Sequence, residues 1–140
     1  MPKAKEVMNP YVVAVSPDED IYEAIRVMIL NSVTGLPVTN EDRTVIGVIT
    51  EKDVLSLLYD NRDKPGAVRD FMTTDVVCFD QEDDLDKVVE SLRTKAFRRV
   101  PILNQGRLVG IISRRDVIRY IRDLRREDRA LKDSLLELVF

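Results

Sequence analysis

With 140 residues, 44% of them hydrophobic, the chain can build one compact domain or two small interdependent halves around a real core. It has no histidine and one cysteine, which excludes Ser–His, Cys–His and metal–histidine chemistry within one chain, and with them an intrachain disulfide or thiolate metal cluster. Net charge is −3, split as 8 basic and 12 acidic groups in residues 1–70 and 14 and 13 in residues 71–140, an asymmetry too mild to predict non-specific nucleic-acid binding.

In chain order, Val12 to Val15 reads as a short buried strand. Ser16-Pro17-Asp18-Glu19 then offers an N-cap, a proline at the first helical position and an acid at N3. The helix it opens repeats apolar residues at Ile21, Ala24, Ile25 and Met28, the spacing of one buried face. Two β-rich runs follow, Gly35 to Thr39 and Val45 to Ile49, and a second helix begins at Thr50. Asn61-Arg-Asp-Lys-Pro65-Gly66 is rich in breakers and ends that helix.

The order then starts again. A strand is expected over Val76 to Phe79, with Cys78 as a buried core residue, and a helix follows with Leu85, Val88, Val89 and Leu92 on one face. Glu82, Asp83, Asp84 and Asp86 are acids of the first helical turn, where they complement the helix dipole. Arg99 to Leu103 and Leu108 to Ile112 form a hairpin about Asn104-Gln105-Gly106, and a helix begins at Ser113. No glycine or proline interrupts residues 111–140, so this helix is expected to run on. Positions 117, 121, 124, 128, 131, 135 and 138 form a heptad seam broken only by Asp128. It predicts an amphipathic helix folded back on its own domain or a helical contact between subunits, with an arginine face for nucleic acid, at Arg119, Arg122, Arg125, Arg126 and Arg129, as a third and weaker reading. Nowhere does an apolar run reach a membrane span, and no signal-peptide pattern opens the chain, so a cytoplasmic location without membrane contact is expected.

The repetition is specific. Gly47-Val-Ile-Thr50-Glu-Lys-Asp53-Val54 and Gly110-Ile-Ile-Ser113-Arg-Arg-Asp116-Val117 are one motif 63 residues apart. Upstream, Val7-Met8 matches Phe71-Met72, Val12-Val13 matches Val76-Val77, and Leu36-Pro37-Val38 matches Val100-Pro101-Ile102, with one residue lost in the turn before Gly110. The fold class is therefore α/β (α+β): two β-α-β-β-α repeats related by a pseudo-twofold, plus an extended C-terminal helix. The repeats are set at residues 7–60 and 71–122, with a linker at 61–70 and a helical extension at 123–140.

Two chemistries fit the loop motif. Thr50-x-x-Asp53 and Ser113-x-x-Asp116 have capping-box spacing, in which hydroxyl and acid satisfy the helix's own backbone donors. The same carboxylate can instead accept both hydroxyls of a ribose, while the hydroxyl and free N–H groups of the helix start meet a ribose or phosphate oxygen. Aspartate reaches back to the N-cap less well than the usual glutamate, which favours a ligand.

In its apolar-Pro-apolar strand, its Gly-x-x-Ser/Thr-x-x-Asp loop and its duplicated element order, residues 7–122 resemble a tandem pair of CBS (cystathionine β-synthase) domains, a Bateman module. The resemblance implies a binding and sensing module rather than an enzyme, with AMP, ADP, ATP or S-adenosylmethionine in the cleft between repeats. It also implies that each adenine slot comes from the opposite repeat, so that Thr50 and Asp53 work with Val76 and Val77, and Ser113 and Asp116 with Val12 and Val13. Arg98 and Arg99, just before the second Pro strand, would meet phosphates, whereas Arg114 and Arg115 are read as an exposed helix face. A homodimer or larger homo-oligomer, and an effector protein as receiver of the signal, are expected. The alternative is a structural dimerisation module with vestigial sites.

Overall fold

The computed structural model describes the backbone of residues 1–95 and 98–139, and the side chains of these except for Asp128 and residues 130–139. The first repeat contains helix α2 (Ile21–Leu30), strands β1 (Gly35–Thr39) and β2 (Val45–Thr50), and the short helix α3 (Glu51–Val54), which tightens into a 3-10 turn over Leu55–Tyr59. Helix α1 (Ala4–Val7) precedes it. The second repeat contains strand β3 (Phe79–Asp80), helix α4 (Leu85–Thr94), strands β4 (Arg99–Asn104) and β5 (Arg107–Ser113), and helix α5 (Arg114–Val139).

The two hairpins share one register. Pro37 faces Val48 in β1/β2 and Pro101 faces Ile111 in β4/β5, and each pair carries a bulge at the same place, after Val38 and after Ile102. The lost residue lies in the second turn, where Gln105 and Gly106 both take positive φ (51° and 79°) and close a two-residue loop between paired Asn104 and Arg107. That geometry matches the twist of the flanking strands, and glycine adopts it without steric cost.

The edge strands are shorter than the sequence suggests. Of Val12 to Val15 only Val15 pairs, in parallel with Val38, and of Val76 to Phe79 only Phe79 is strand, continuing to Asp80 against Ile102 and Leu103. The first helix also starts later than Ser16 proposes. Asp20 is the N-cap, its carboxylate accepting from the Tyr22 N–H at 2.8 Å, while Ser16 closes a turn by accepting from the Asp18 and Glu19 N–H groups. Asp20 is the better acceptor because its charge opposes the positive helix start. Cys78 is half-buried and lies outside both cores, and burial pushes its thiol pKa up.

Each repeat buries its own cluster. Ile21, Ala24 and Met28 of α2 pack on Leu36, Val38 and Ile49, while Leu85, Val88 and Leu92 of α4 pack on Val100, Ile102 and Ile112. Each cluster is completed by the segment that leads into the other repeat. Ala4, fully buried, belongs to the second cluster with Val7 and Met8 against it, and Val68, fully buried within the stretch read as linker, belongs to the first with Phe71 and Met72.

The polar contacts of these segments repeat the same symmetry. Asn9 exchanges backbone hydrogen bonds with Ile111 at 2.8 and 3.0 Å, and Thr73 does so with Val48 at 2.9 Å each way. Lys5 pairs with Glu82 at 2.6 Å, as Arg69 pairs with Asp18. Lys3 pairs with Asp84 at 2.8 Å, raising the lysine's pKa and lowering the acid's through their hydrogen bond. The acids before α4 thus anchor α1 as well as facing a helix start. Close approach explains two glycines: a Cβ at Gly47 would lie 2.8 Å from Met72 Sδ, and one at Gly110 would strike Met8.

Helix α5 is continuous to Val139. Val117 and Tyr120 pack on the second cluster, whereas Ile121 and Leu124 of the expected seam remain 59% and 43% exposed. The rest of that seam, at Asp128, Leu131, Leu135 and Leu138, lies outside the described side chains. Among the described residues no helix is long and apolar enough to cross a membrane.

Candidate functional site

The outer faces of the two hairpins meet across the pseudo-twofold and leave two cavities between them. Gly35, Leu36, Pro37, Arg99 and Ile111 line both. The strand prolines contribute here because they offer flat apolar surface without a backbone donor to satisfy.

The first cavity, about 550 Å³, brings together Thr50, Val76, Val77, Arg98 and Arg99 of the expected set. Asp53 does not line it. Its Oδ2 accepts from the Thr50 N–H and hydroxyl at 2.9 Å each, and its Oδ1 accepts from the Thr73 hydroxyl at 3.2 Å. Both oxygens are therefore engaged by the protein. Glu51, Lys52 and Asp75 add charges of mixed sign to the rim.

The second cavity, about 310 Å³, brings together Ser113, Asp116, Val12, Val13 and Arg99. Asp116 Oδ2 accepts from the Ser113 N–H and hydroxyl at 2.8 Å each, while the Ser113 hydroxyl accepts from the Asp116 N–H at 3.2 Å, so the cap is closed in both directions. Aspartate reaches back to the N-cap fully in both repeats, contrary to the sequence expectation. A three-residue separation across a helix start brings even the shorter acid within bonding distance. The difference lies in the second oxygen. Asp116 Oδ1 has no hydrogen-bond donor among the described residues and stands 3.7 Å from an Arg119 Nη, on a side chain 13% exposed. Where Thr73 meets Asp53, the equivalent position beside Asp116 is Asn9, whose side chain instead accepts from the Tyr11 N–H.

Arginines separate the cavities further. Arg98 lines only the first. Arg115 and Arg119 line the second, so Arg115 is not merely an exposed helix face; Arg114 turns away, its Nε donating to the Leu92 carbonyl at 3.1 Å. Helical spacing gives the missed signal, because Arg115 and Arg119, four residues apart, share the face next to Asp116. Arg99 lines both cavities, and its equivalent in the first repeat is Gly35. Its Nε is buried and has no hydrogen-bond partner among the described residues. Burial pulls its pKa below the ordinary guanidinium value; Asp116 opposes that, Arg98 adds to it, and Glu51 opposes it more weakly. A buried donor left unpaired costs about 1–3 kcal/mol, which an incoming acceptor would recover.

A family model described as CBS domain matches the chain twice, over residues 4–60 and 68–123. Inosine-5'-monophosphate dehydrogenase of Methanocaldococcus jannaschii is 38% identical over 118 residues, which are 84% of this chain but only 23% of that enzyme. CBS domain-containing protein YhcV of Bacillus subtilis is 30% identical over 118 residues, 84% of each chain. Among solved structures, that of CBSX2 in complex with AMP superposes with a TM-score of 0.80 at 25% identity, covering 89% of this chain and 99% of that one.

Proposed function

The chain belongs to the CBS domain family as a tandem pair, and we propose that it is a regulatory module, not an enzyme, that binds an adenosine-containing ligand between its repeats. The observation that carries this reading is the second cavity. An open carboxylate oxygen on Asp116 suits a ribose hydroxyl, Val12 and Val13 offer an apolar wall for adenine, and Arg99, Arg115 and Arg119 suit phosphate. The AMP bound by CBSX2 supports the ligand class. AMP, ADP and ATP are therefore favoured in this cavity over S-adenosylmethionine, whose sulfonium would face arginines. The first cavity, with Asp53 engaged at both oxygens, takes the same class more weakly.

The signal is a population shift: a ligand that touches both repeats favours the arrangement that fits it, by no more than its differential affinity. We place the module in the cytoplasm, as a homodimer or larger homo-oligomer that passes its state to an effector protein. Exposed Ile118, Ile121 and Leu124 on α5, with Leu55, Leu58 and Tyr59, support helical association. Truncation after Asp123 should then reduce assembly size by light scattering, and a full-length chain that stays monomeric at high micromolar concentration would refute the oligomer.

Thermal unfolding tests the ligand. At about 100 times its dissociation constant a ligand specific for the folded state adds roughly 2.7 kcal/mol, so AMP, ADP or ATP should raise Tm clearly, and GTP less. If no adenosine compound shifts Tm or gives calorimetric heat at millimolar concentration, the reading fails.

A further inference from the structure

We infer that Arg99 makes the two cavities antagonistic for phosphorylated ligands: a phosphate held by this side chain in one cavity weakens phosphate binding in the other. The inference rests on the ligand class proposed above. Four observations carry it. Arg99 is the only cationic side chain that lines both cavities among the described residues. It has no symmetric double, since Gly35 occupies the equivalent position and one guanidinium must serve two related sites. Its Nε has no acceptor among the described residues, so no such bond holds that edge of the guanidinium to either side. Its charged neighbours span the partition, with Asp116 on the second cavity and Glu51 on the first.

A guanidinium pairs most strongly with phosphate through two parallel N–H donors on one edge, and a planar fork so engaged is turned away from a second anion. The phosphate that arrives first takes the fork; the second finds it already directed elsewhere. Adenosine, lacking the phosphate, makes no demand on Arg99. The two cavities then differ for adenosine only by their own contacts, but differ more for AMP.

Isothermal titration of the full chain with AMP and with adenosine tests this. In the wild type the gap between first and second dissociation constants should be about tenfold or more wider for AMP than for adenosine, within the usual range of site–site coupling. In Arg99→Gln, AMP should bind more weakly in its first step and its gap should close to that of adenosine; a second AMP seen only in the variant would be the extreme form of that result. Equal gaps for AMP and adenosine in the wild type overturn the inference without any variant, and leave nucleotide binding standing. It is also overturned if Arg99→Gln keeps the wide AMP gap, or if the second AMP binds more tightly than the first because Arg99 bridges both. Absence of heat with either ligand would instead refute the proposed ligand class, and this inference with it.

Discussion

Replacing Asp53 and Asp116 separately by asparagine divides helix capping from ligand binding, because the two acids share one role and differ in the other. Asp53 accepts three hydrogen bonds, from the Thr50 N–H and hydroxyl at 2.9 Å and from Thr73 at 3.2 Å. Asp116, which lines the second cavity, accepts two, both from Ser113 at 2.8 Å, and its Oδ1 has no hydrogen-bond donor among the described residues. Asparagine retains one acceptor oxygen but loses the charge that strengthens these bonds. Each variant should therefore lose about 1–2 kcal/mol of stability in urea unfolding. For Asp116→Asn, a ribose hydroxyl also loses its charged acceptor, so AMP affinity should fall by about 1.5–3 kcal/mol, or about 10- to 150-fold. Asp53→Asn should leave the tighter AMP step unchanged in calorimetry on the folded protein. The reasoning is refuted if Asp53→Asn costs as much affinity as Asp116→Asn, or if Asp116→Asn loses stability while binding AMP as the wild type does.

Gly47→Ala and Gly110→Ala should each cost about 1–3 kcal/mol in the same urea series, because the new methyl at 47 meets Met72 Sδ at 2.8 Å and the Thr73 carbonyl oxygen at 3.0 Å, and the one at 110 meets Met8 Cγ at 2.8 Å and Cβ at 3.0 Å. Ala4→Leu should destabilise by a similar about 1–3 kcal/mol, since this fully buried residue fills the second cluster from outside its own repeat; an unchanged unfolding midpoint would mean α1 does not complete that core. Cys78 should alkylate with iodoacetamide more slowly than a free thiol at pH 8 and reach the free rate in urea, because burial disfavours its thiolate. The folded pKa is raised, so the associated stability is intact below the unfolded thiol's value of about 8.5 and declines as pH rises from there through the folded value; Cys78→Ser should flatten that decline.

Local patterns made much of the fold legible. The repeat offset located both hairpins, the apolar spacing located α2 and α4, and the duplicated Ser/Thr-x-x-Asp motif located the starts of α3 and α5. What it obscured depends on distance. Val12 and Val13 look like strand from composition, yet only Val15 finds a partner edge, because pairing is decided by the bulged hairpin beside it. Val68 lies beyond a Pro-Gly break and looks like connection, yet it is fully buried because its partners come from residues 15 to 57. At the site, residue types suggested both Asp53 and Asp116 as ribose acceptors. The neighbours Thr73 and Asn9, 64 residues apart and chemically different, make the two carboxylates unequal. That distinction lives in the second contact of each carboxylate, which spacing within the motif does not encode.

The exchange of leading segments also bears on how a cleft ligand could act. Asn9 bonds β5 and Thr73 bonds β2, so each repeat's lead-in is fixed to the other repeat's hairpin while its own chain continues into the opposite core. At the far end the hairpin tips are joined directly, with Arg43 Nε donating to the Leu108 carbonyl and the Leu108 N–H donating to the Arg43 carbonyl, both at 3.0 Å. Simple separation of the repeats would break these ties together with the packing of Ala4 and Val68, a cost far beyond what one small ligand can supply. Changes within the cleft are therefore confined to elements that line it without such ties. Those are the Arg99 side chain, the start of α5, and the unpaired stretches Tyr11 to Val13 and Asp75 to Val77. Helix α5 starts just after Ser113 and carries Arg115, Arg119 and then the exposed Ile121 and Leu124. Under the proposed function, a ligand that draws Arg115 and Arg119 toward a phosphate would act on the same helix that exposes Ile121 and Leu124, which makes α5 the route the proposal offers from the second cavity to an effector.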